Sequence, residues 1–102
     1  MVDNCLTLVG SVAKPPKLST SPAGVHHCQF SIEHRSIQVE DELNRQAFVR
    51  MQVVATGHWS QRLASELTEG MQIKVVGFIN RHESRNGNPL LVLHAQQVEM
   101  IN

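Results

Sequence analysis

The chain has 102 residues, of which 41% are hydrophobic and 18% charged. This composition is that of one ordinary globular domain, and it excludes both a disordered chain and two separate cores. Nine basic residues balance nine acidic ones, so nucleic acid is not attracted by overall charge and could be bound only by a local basic patch.

Two further features bear on where the chain works. No apolar run approaches the roughly 18 residues that a membrane-spanning helix requires, and the N-terminus lacks the basic and then apolar pattern of a secretory signal. We therefore expect a cytoplasmic protein. In that compartment Cys5 and Cys28 should be reduced and buried rather than joined in a disulfide.

The first strand is predicted over residues 5–13. Gly10 within it, like Gly77 in a later strand, indicates a bulge or bend of the kind that a closing barrel needs. Segment 14–17 contains two prolines, which end regular pairing because proline has no backbone N–H. Residues 21–24 read Ser-Pro-Ala-Gly, a turn sequence, so the first two predicted strands should form a hairpin.

Residues 28–36 and 47–55 show the apolar and polar alternation that is typical of half-buried strands. Side by side, two such strands form a sheet with an apolar inner face. The outer face then carries one aromatic ring and two guanidinium groups, those of Phe48, Arg35 and Arg50. These side chains contribute nothing to a core on the other side of the sheet, so they require another explanation.

Between these two strands, residues 38–45 lose the alternation and contain Glu40-Asp41-Glu42, which indicates an exposed loop. After the third strand, one short helix is predicted over residues 61–69, where apolar side chains fall on one helical face. Ser60 is placed to cap its N-terminus and Gly70 its C-terminus.

Two more strands are predicted over residues 72–80 and 90–95, and the second can continue through 98–101. Asn86-Gly87 between them is a strong hairpin signal. Three strands, a helix and a two-stranded hairpin are the connectivity of the OB-fold, a small, partly open Greek-key barrel. The predicted fold class is therefore all-β: one five-stranded OB-fold domain over residues 1–102, with one short helix between strands three and four.

OB-folds commonly bind single-stranded nucleic acid or oligosaccharide on the outer face of strands two and three. Proteins that bind single strands combine cations along the backbone with an aromatic ring on which a base stacks. The candidate nucleic-acid contacts on and around this face are Arg35, Phe48, Arg50, Lys17, Arg45, Arg81 and Arg85. Alternatively, the arginines are solvated surface, Arg50 pairs with Glu33, or Phe48 covers a subunit contact.

Other chemistry has less support. His26-His27 stands beside Cys28, but neighbouring residues of a strand point to opposite faces, and no second pair has the spacing of metal ligands. The chain has no glycine-rich phosphate loop and no nucleophile with an evident base. We therefore expect no metal, no other cofactor and no enzymatic activity. Trp59 is expected to be either a packing anchor or a partner contact.

Several short stretches, spread in order over nearly the whole chain, resemble one known family. They are Pro22-Ala23-Gly24, His27-Cys28-Gln29-Phe30, Glu33-His34-Arg35-Ser36, Arg45-Gln46-Ala47, Gly57-His58, Gly77-Phe78-Ile79, Asn86-Gly87 and Val92-Leu93-His94-Ala95-Gln96-Gln97. On these residues the chain resembles the family of primosomal replication protein N, or PriB. The resemblance implies a homodimeric OB-fold without catalytic activity that binds single-stranded DNA at stalled or collapsed replication forks. Its implied partners are the PriA helicase and DnaT, and the implied outcome is reloading of the replicative helicase.

The resemblance also assigns roles to particular residues. Arg35 matches the family's DNA-contacting arginine in strand two, Phe48 stands where the family usually has a base-stacking tryptophan, and Arg85 matches a basic position in the last hairpin. Four positions depart from the family, which usually has an aromatic residue at the first and lysines at the others: Leu43, Ser19, Glu83 and Leu90. Fewer cations neutralise fewer phosphates, so DNA binding should be weaker and less sensitive to salt, although Arg81 compensates in part.

Two functions are compatible with these patterns. The first is a single-stranded DNA-binding component that stabilises PriA on forks and helps to recruit DnaT. The alternative is an adaptor chiefly for PriA and DnaT, with weak or no DNA binding of its own. The first strand is also a candidate edge for pairing in a homodimer. Leu6 and Leu8 would form that interface, unless the opposite face of the strand does.

Overall fold

Six strands and one helix make up the computed structural model, which describes residues 3–101. In chain order the elements are β1 (Leu6–Val12), β2 (Lys17–Thr20), β3 (His26–Glu40), β4 (Leu43–Thr56), α1 (Trp59–Glu66), β5 (Gln72–Glu83) and β6 (Pro89–Ile101).

The strands form a closed barrel. Their order is β1-β5-β6-β4-β3, and β1 then pairs with β3 to complete the circle. The pair β4–β6 is parallel and the other pairs are antiparallel. The four-residue strand β2 adds to β3 outside this circle. Five strands thus make the barrel, with the helix between the third and fourth of them, and the predicted OB-fold architecture is confirmed.

The core fills the inside of the barrel, because alternation along each strand turns every second side chain inward. The buried apolar side chains are Leu8, Val12, Cys28, Phe30, Ile32, Val53, Ala55, Leu63, Leu67, Ile73, Val75, Val92, Leu93 and Ala95. Burial raises the pKa of the Cys28 thiol through desolvation. Cys5 is exposed instead, so the expectation of two buried cysteines holds for Cys28 and is wrong for Cys5; both thiols are free.

Two glycines permit the curvature that closes the barrel. A β-carbon on Gly10 would overlap the backbone oxygen of Glu33, and one on Gly77 would overlap that of His94. β1 changes partner near Gly10, from β5 to β3, and the β5–β6 register shifts next to Gly77. Both predicted points of curvature are therefore confirmed.

β3 and β4 continue beyond the barrel as a two-stranded arm, residues 36–47. The strands stay paired as far as Glu40 opposite Leu43. Asp41 and Glu42 alone make the turn, with φ of 49° and 63°. The predicted loop over 38–45 is therefore wrong. Neither face of the outer arm is buried, so burial imposes no alternation on its sequence, and the turn lacks the Asn-Gly or Asp-Gly that usually marks such a hairpin.

α1 begins and ends earlier than predicted. Ser60 lies inside its first turn, fully buried, where its hydroxyl donates to a backbone carbonyl, so it is not the N-cap. His58 occupies that position without a side-chain capping bond, and the helix stops before Leu67, which is extended. Gly70 forms a later turn with φ of 85° and does not cap the helix. Both predicted caps are therefore wrong.

Trp59 is a packing anchor. Its side chain is half-buried against the core, and its indole N–H donates to the carbonyl of Thr56 at 2.9 Å. Of the two roles considered for this residue, the structure supports packing.

Two hairpins were predicted, one for the first two strands and one for the last two, and the structure treats them differently. The turn at 21–24 joins β2, rather than β1, to β3, and β1 reaches β3 only at Ser11 and Val12. The first two predicted strands thus pair antiparallel as expected, but the turn does not join them directly, because the chain resumes pairing as β2 after its prolines. The last hairpin is confirmed, with Gly87 at φ of 78° in its turn. β5 and β6 run further than predicted because their pairing continues beyond the barrel.

Candidate nucleic-acid interface

The outer face of β3 and β4 places Arg35 and Phe48 together. The two residues lie directly opposite each other across the strand pair. The guanidinium carbon of Arg35 is 4.4 Å from the centre of the Phe48 ring, which is a cation–π contact. Phe48 nevertheless remains 53% exposed. The ring is thus held by a neighbour while much of its surface stays open to a ligand.

Arg50 follows on the same face and pairs with Glu33, its cross-strand neighbour. A guanidinium nitrogen of Arg50 donates to a Glu33 carboxylate oxygen at 3.4 Å, and half of the Arg50 side chain stays exposed. An exposed pair of this kind contributes little stability, and Arg50 keeps other N–H donors that can reach a phosphate. The pairing considered as an alternative is thus present, and it weakens the positive charge here without removing it.

A groove runs along this face from Arg50. Its first part is lined by Lys14 and Lys17, by Gln29 of β3, and by Arg50 and Gln52 of β4. Lys17 belongs to β2, and the segment between β1 and β2 supplies Lys14. The proline-containing connection and the start of β2 therefore bring one lysine each next to the outer face of the barrel.

The same groove continues beyond the two glutamines. Gln29 and Gln52 also line its second part, together with His82 and Arg85 of the β5–β6 hairpin. Because the two clefts share Gln29 and Gln52, we treat them together as the outer groove and define it by its charged, amide and imidazole lining residues: Lys14, Lys17, Gln29, Arg50, Gln52, His82, Glu83 and Arg85. It joins Arg50, next to the Arg35–Phe48 contact, to the last hairpin.

Two of the predicted contacts lie elsewhere. Arg45 is in the inward-facing series of β4, opposite to Phe48, and it pairs with Glu40 at 3.4 Å. Arg81 alternates with His82 on β5 and pairs with Glu83 at 3.8 Å. Neither arginine lines the outer groove. Arg81 does lie next to the groove-lining Glu83, so its partial compensation for the missing lysine stays a prediction.

Apart from Glu83, four lining residues of the outer groove were not among the predicted contacts: Lys14, Gln29, Gln52 and His82. Gln29 and Gln52 occupy outward positions of two correctly predicted strands, so alternation alone could have identified them. Lys14 lies three residues before Lys17, and its nearness to a predicted contact was the available signal. At the positions that depart from the family, Leu90 lines the outer groove, while Ser19 and Leu43 are exposed outside it.

The predicted dimer contacts belong to the core instead. Leu8 is buried within the barrel and Leu6 packs against it, so both stabilise the single chain. Assigning Leu8 to a subunit interface is corrected accordingly, whereas for the partly buried Leu6 it stays a prediction. The opposite face of β1 carries Val9, which is 42% exposed. Because only Ser11 and Val12 of β1 pair with β3, the first half of β1 has no second strand partner, and at Val9 a ring nitrogen of His34 lies 2.6 Å from the carbonyl oxygen.

The histidines of the first hairpin bond to neighbouring side chains. His26 lies 3.1 Å from the Thr20 hydroxyl, and His27 lies 3.1 Å from that of Thr56. Within residues 3–101, no group of three or more His, Cys, Asp or Glu side chains is arranged to hold a metal ion. No helix in the same part of the chain is long and apolar enough to cross a membrane.

Known proteins match this chain in sequence and in fold. A family model described as another single-strand binding protein family matches residues 4–97. The replication restart protein PriB of Serratia proteamaculans is 47% identical over 102 residues, which cover 100% of this chain and 97% of that protein. The structure of PriB from Ralstonia solanacearum superposes with a TM-score of 0.81 at 20% identity, over 99% of this chain and 100% of that one. A small single-stranded DNA-binding protein from Streptomyces coelicolor superposes with a TM-score of 0.79 at 19% identity, over 99% and 95% of the two chains.

Proposed function

Because the chain belongs to the PriB family of replication restart proteins, within the single-strand binding proteins, we propose that it binds single-stranded DNA through the outer groove and the Arg35–Phe48 contact beside it. It would serve replication restart by stabilising the PriA helicase on forks and by helping to recruit DnaT, so that the replicative helicase is reloaded. We further propose that it acts in the cytoplasm, as a homodimer and without catalytic activity. These partners are the ones that the family resemblance implies.

The Arg35–Phe48 contact is the observation that best supports DNA binding. A half-exposed ring offers a base a stacking surface, and such stacking contributes about 1–3 kcal/mol per base in proteins that bind single strands. Arg35 already holds the ring, so less side-chain entropy is lost when a base arrives. Arg35 also adds a positive charge beside the position where the phosphate of the stacked nucleotide would lie.

The remaining cations of the outer groove support the same function. Lys14, Lys17 and Arg50 lie near one end, and Arg85 lies at the other. A phosphodiester backbone that follows the groove would pass all four, and each contact would release a counterion. Stacking and phosphate contacts carry little sequence information, so we expect binding that tolerates many sequences.

Two arginines of the same pair of strands allow a matched test. Arg35→Ala removes the cation from the Phe48 ring, whereas Arg45→Ala removes an arginine from the opposite face of the arm. Titration of labelled oligo-dT, followed by fluorescence anisotropy at low salt, should show Arg35→Ala weakening binding by at least about fivefold, or roughly 1 kcal/mol. Arg45→Ala should change the affinity by less than about twofold. Equal losses in the two variants would contradict the proposed interface.

The adaptor role is the second candidate, and the arm favours it. Ile37 and Val39 are 61% and 72% exposed on the outer face of the arm, and Glu40-Asp41-Glu42 stand at its tip. Exposed apolar side chains beside carboxylates suit a protein partner better than they suit a polyanion. If the unmodified protein failed to bind oligo-dT even at low salt, the DNA-binding role would be abandoned in favour of the adaptor role.

A further inference from the structure

Two histidines at the far end of the outer groove form a pair that the proposed function does not use. His82 on β5 and His94 on β6 approach each other with their Nε2 atoms 2.8 Å apart. Their ring centres are 5.1 Å apart and the ring planes differ by 23°. Such rings lie edge to edge around a shared N–H···N hydrogen bond, not one above the other. One ring must donate this proton and the other must accept it.

The surroundings of the two rings decide which one accepts. Phe78 stacks on His94, with ring centres 4.9 Å apart and planes 6° apart, and His94 is half-buried. Desolvation by this burial, and then the charge on His82, lower the pKa of His94. We therefore assign the acceptor nitrogen to His94, the more buried ring, and the donor to the exposed His82. His82 can be protonated at Nδ1 and still donate from Nε2, so the pair can gain one proton without losing its hydrogen bond.

We propose that His82 is a proton-linked phosphate contact: when single-stranded DNA enters the outer groove, a backbone phosphate stabilises protonated His82, and His94 holds the charged ring in place by accepting its Nε2 proton. The proton comes from solvent. The pair takes up at most one, because two positive charges with their nitrogens 2.8 Å apart would repel each other strongly. This inference rests on the proposed function, and it adds a residue and a pH dependence to the same site.

Among the described residues, the charged side chains near His82 include only one carboxylate, and that carboxylate is already paired, so the anion that stabilises the protonated ring has to come from the ligand. Arg85 and Glu83 line the same part of the groove, and Arg81 lies 3.8 Å from the Glu83 carboxylate. In the part of the chain that the structure describes, β3 and β4 contribute only glutamine and valine side chains there. His82 therefore faces one cation and one carboxylate that is already paired. An incoming phosphate makes the largest change in its electrostatic surroundings.

Binding of oligo-dT at several pH values tests the inference, because thymine does not take up a proton in this range. Between pH values of about 8 and 5.5, at constant ionic strength, the unmodified protein should bind roughly three- to fivefold more tightly at the acidic end, which is the size of one exposed charge contact. His82→Gln should lose most of this increase. His58→Gln, which changes an exposed histidine that lines a different cleft, should keep it.

Calorimetry in buffers with different ionisation enthalpies gives a second readout. Binding should be accompanied by uptake of up to about one proton per chain in the unmodified protein and in His58→Gln, and by less in His82→Gln. The same pH dependence and proton uptake in all three proteins would overturn the inference and leave the proposed function standing. Absence of oligo-dT binding at every pH would overturn both.

Discussion

For Arg35 and Phe48, the sequence predicted the face of the sheet on which each side chain lies but not the contact between them. Alternation placed both side chains on the outer face, and the structure puts them there. Their contact depends on the β3–β4 register, and in a hairpin the turn sets that register. Here the turn consists of Asp41 and Glu42. Neither turn residue is a glycine or asparagine, so the sequence carried no signal for this turn. The face was therefore predictable, and the pairing across it was not.

Gly77 is the single residue whose replacement should damage the fold most clearly. A β-carbon there would overlap the backbone oxygen of His94, so Gly77→Ala must push β5 and β6 apart at their register shift. We expect a loss of more than about 3 kcal/mol in the free energy of unfolding, measured by urea denaturation.

Gly87→Ala is the matched control for Gly77→Ala. Gly87, unlike Gly77, has a positive φ, but a β-carbon there meets open space. Its replacement should cost only about 1–2 kcal/mol, the price of a left-handed conformation for a residue with a side chain. Equal losses in the two variants would show that steric overlap at Gly77 is not the deciding factor.

The arm shows why the existence of an element was easier to predict than its extent. Alternation over 28–36 and 47–55 reports burial of one face, so it ends where the barrel ends. The strands themselves continue to Glu40 and Leu43, since backbone pairing needs no core. The same limit explains Arg45. A residue of a predicted loop has no defined face, so the sequence could not say where the Arg45 side chain points. Only the continued strand pairing assigns it to the face opposite Phe48.

β1 is the element through which we propose that two chains associate. Its outward side chain Val9 is 42% exposed, and the first half of the strand pairs with β5 but not with β3. A second copy could cover both the edge and the apolar side chain. Sedimentation at micromolar concentration should give the mass of a dimer for the unmodified protein, and Val9→Lys should shift it toward the monomer.

Val25→Lys provides the control for Val9→Lys, because Val25 is 39% exposed but lies near the first hairpin turn, away from β1. It should leave the mass unchanged. A monomeric unmodified protein, or a dimer that tolerates lysine at position 9, would rule out this face of β1.

Over the whole molecule, a net charge of zero conceals an uneven distribution. Four of the nine lysines and arginines, Lys14, Lys17, Arg50 and Arg85, line the outer groove. Three of the nine acidic residues, Glu40, Asp41 and Glu42, stand together at the tip of the arm. The sequence could show that any basic patch must be local. The predicted OB-fold also placed Lys17 and Arg85 around the same face. The sequence could not show which other side chains line the groove between them, because that depends on how the barrel closes.

The most direct test of this account is a map of where single-stranded DNA contacts the folded protein. Backbone amide chemical shifts, recorded while oligo-dT is added to isotope-labelled protein, report every region at once. The largest changes are expected along the outer groove and at Phe48, around Gln29, Arg50, Gln52 and Arg85. The residues of α1 and the tip of the arm should change little. Changes confined to α1 or to the arm tip, or no changes at all, would contradict the claim that this groove is the DNA-binding surface.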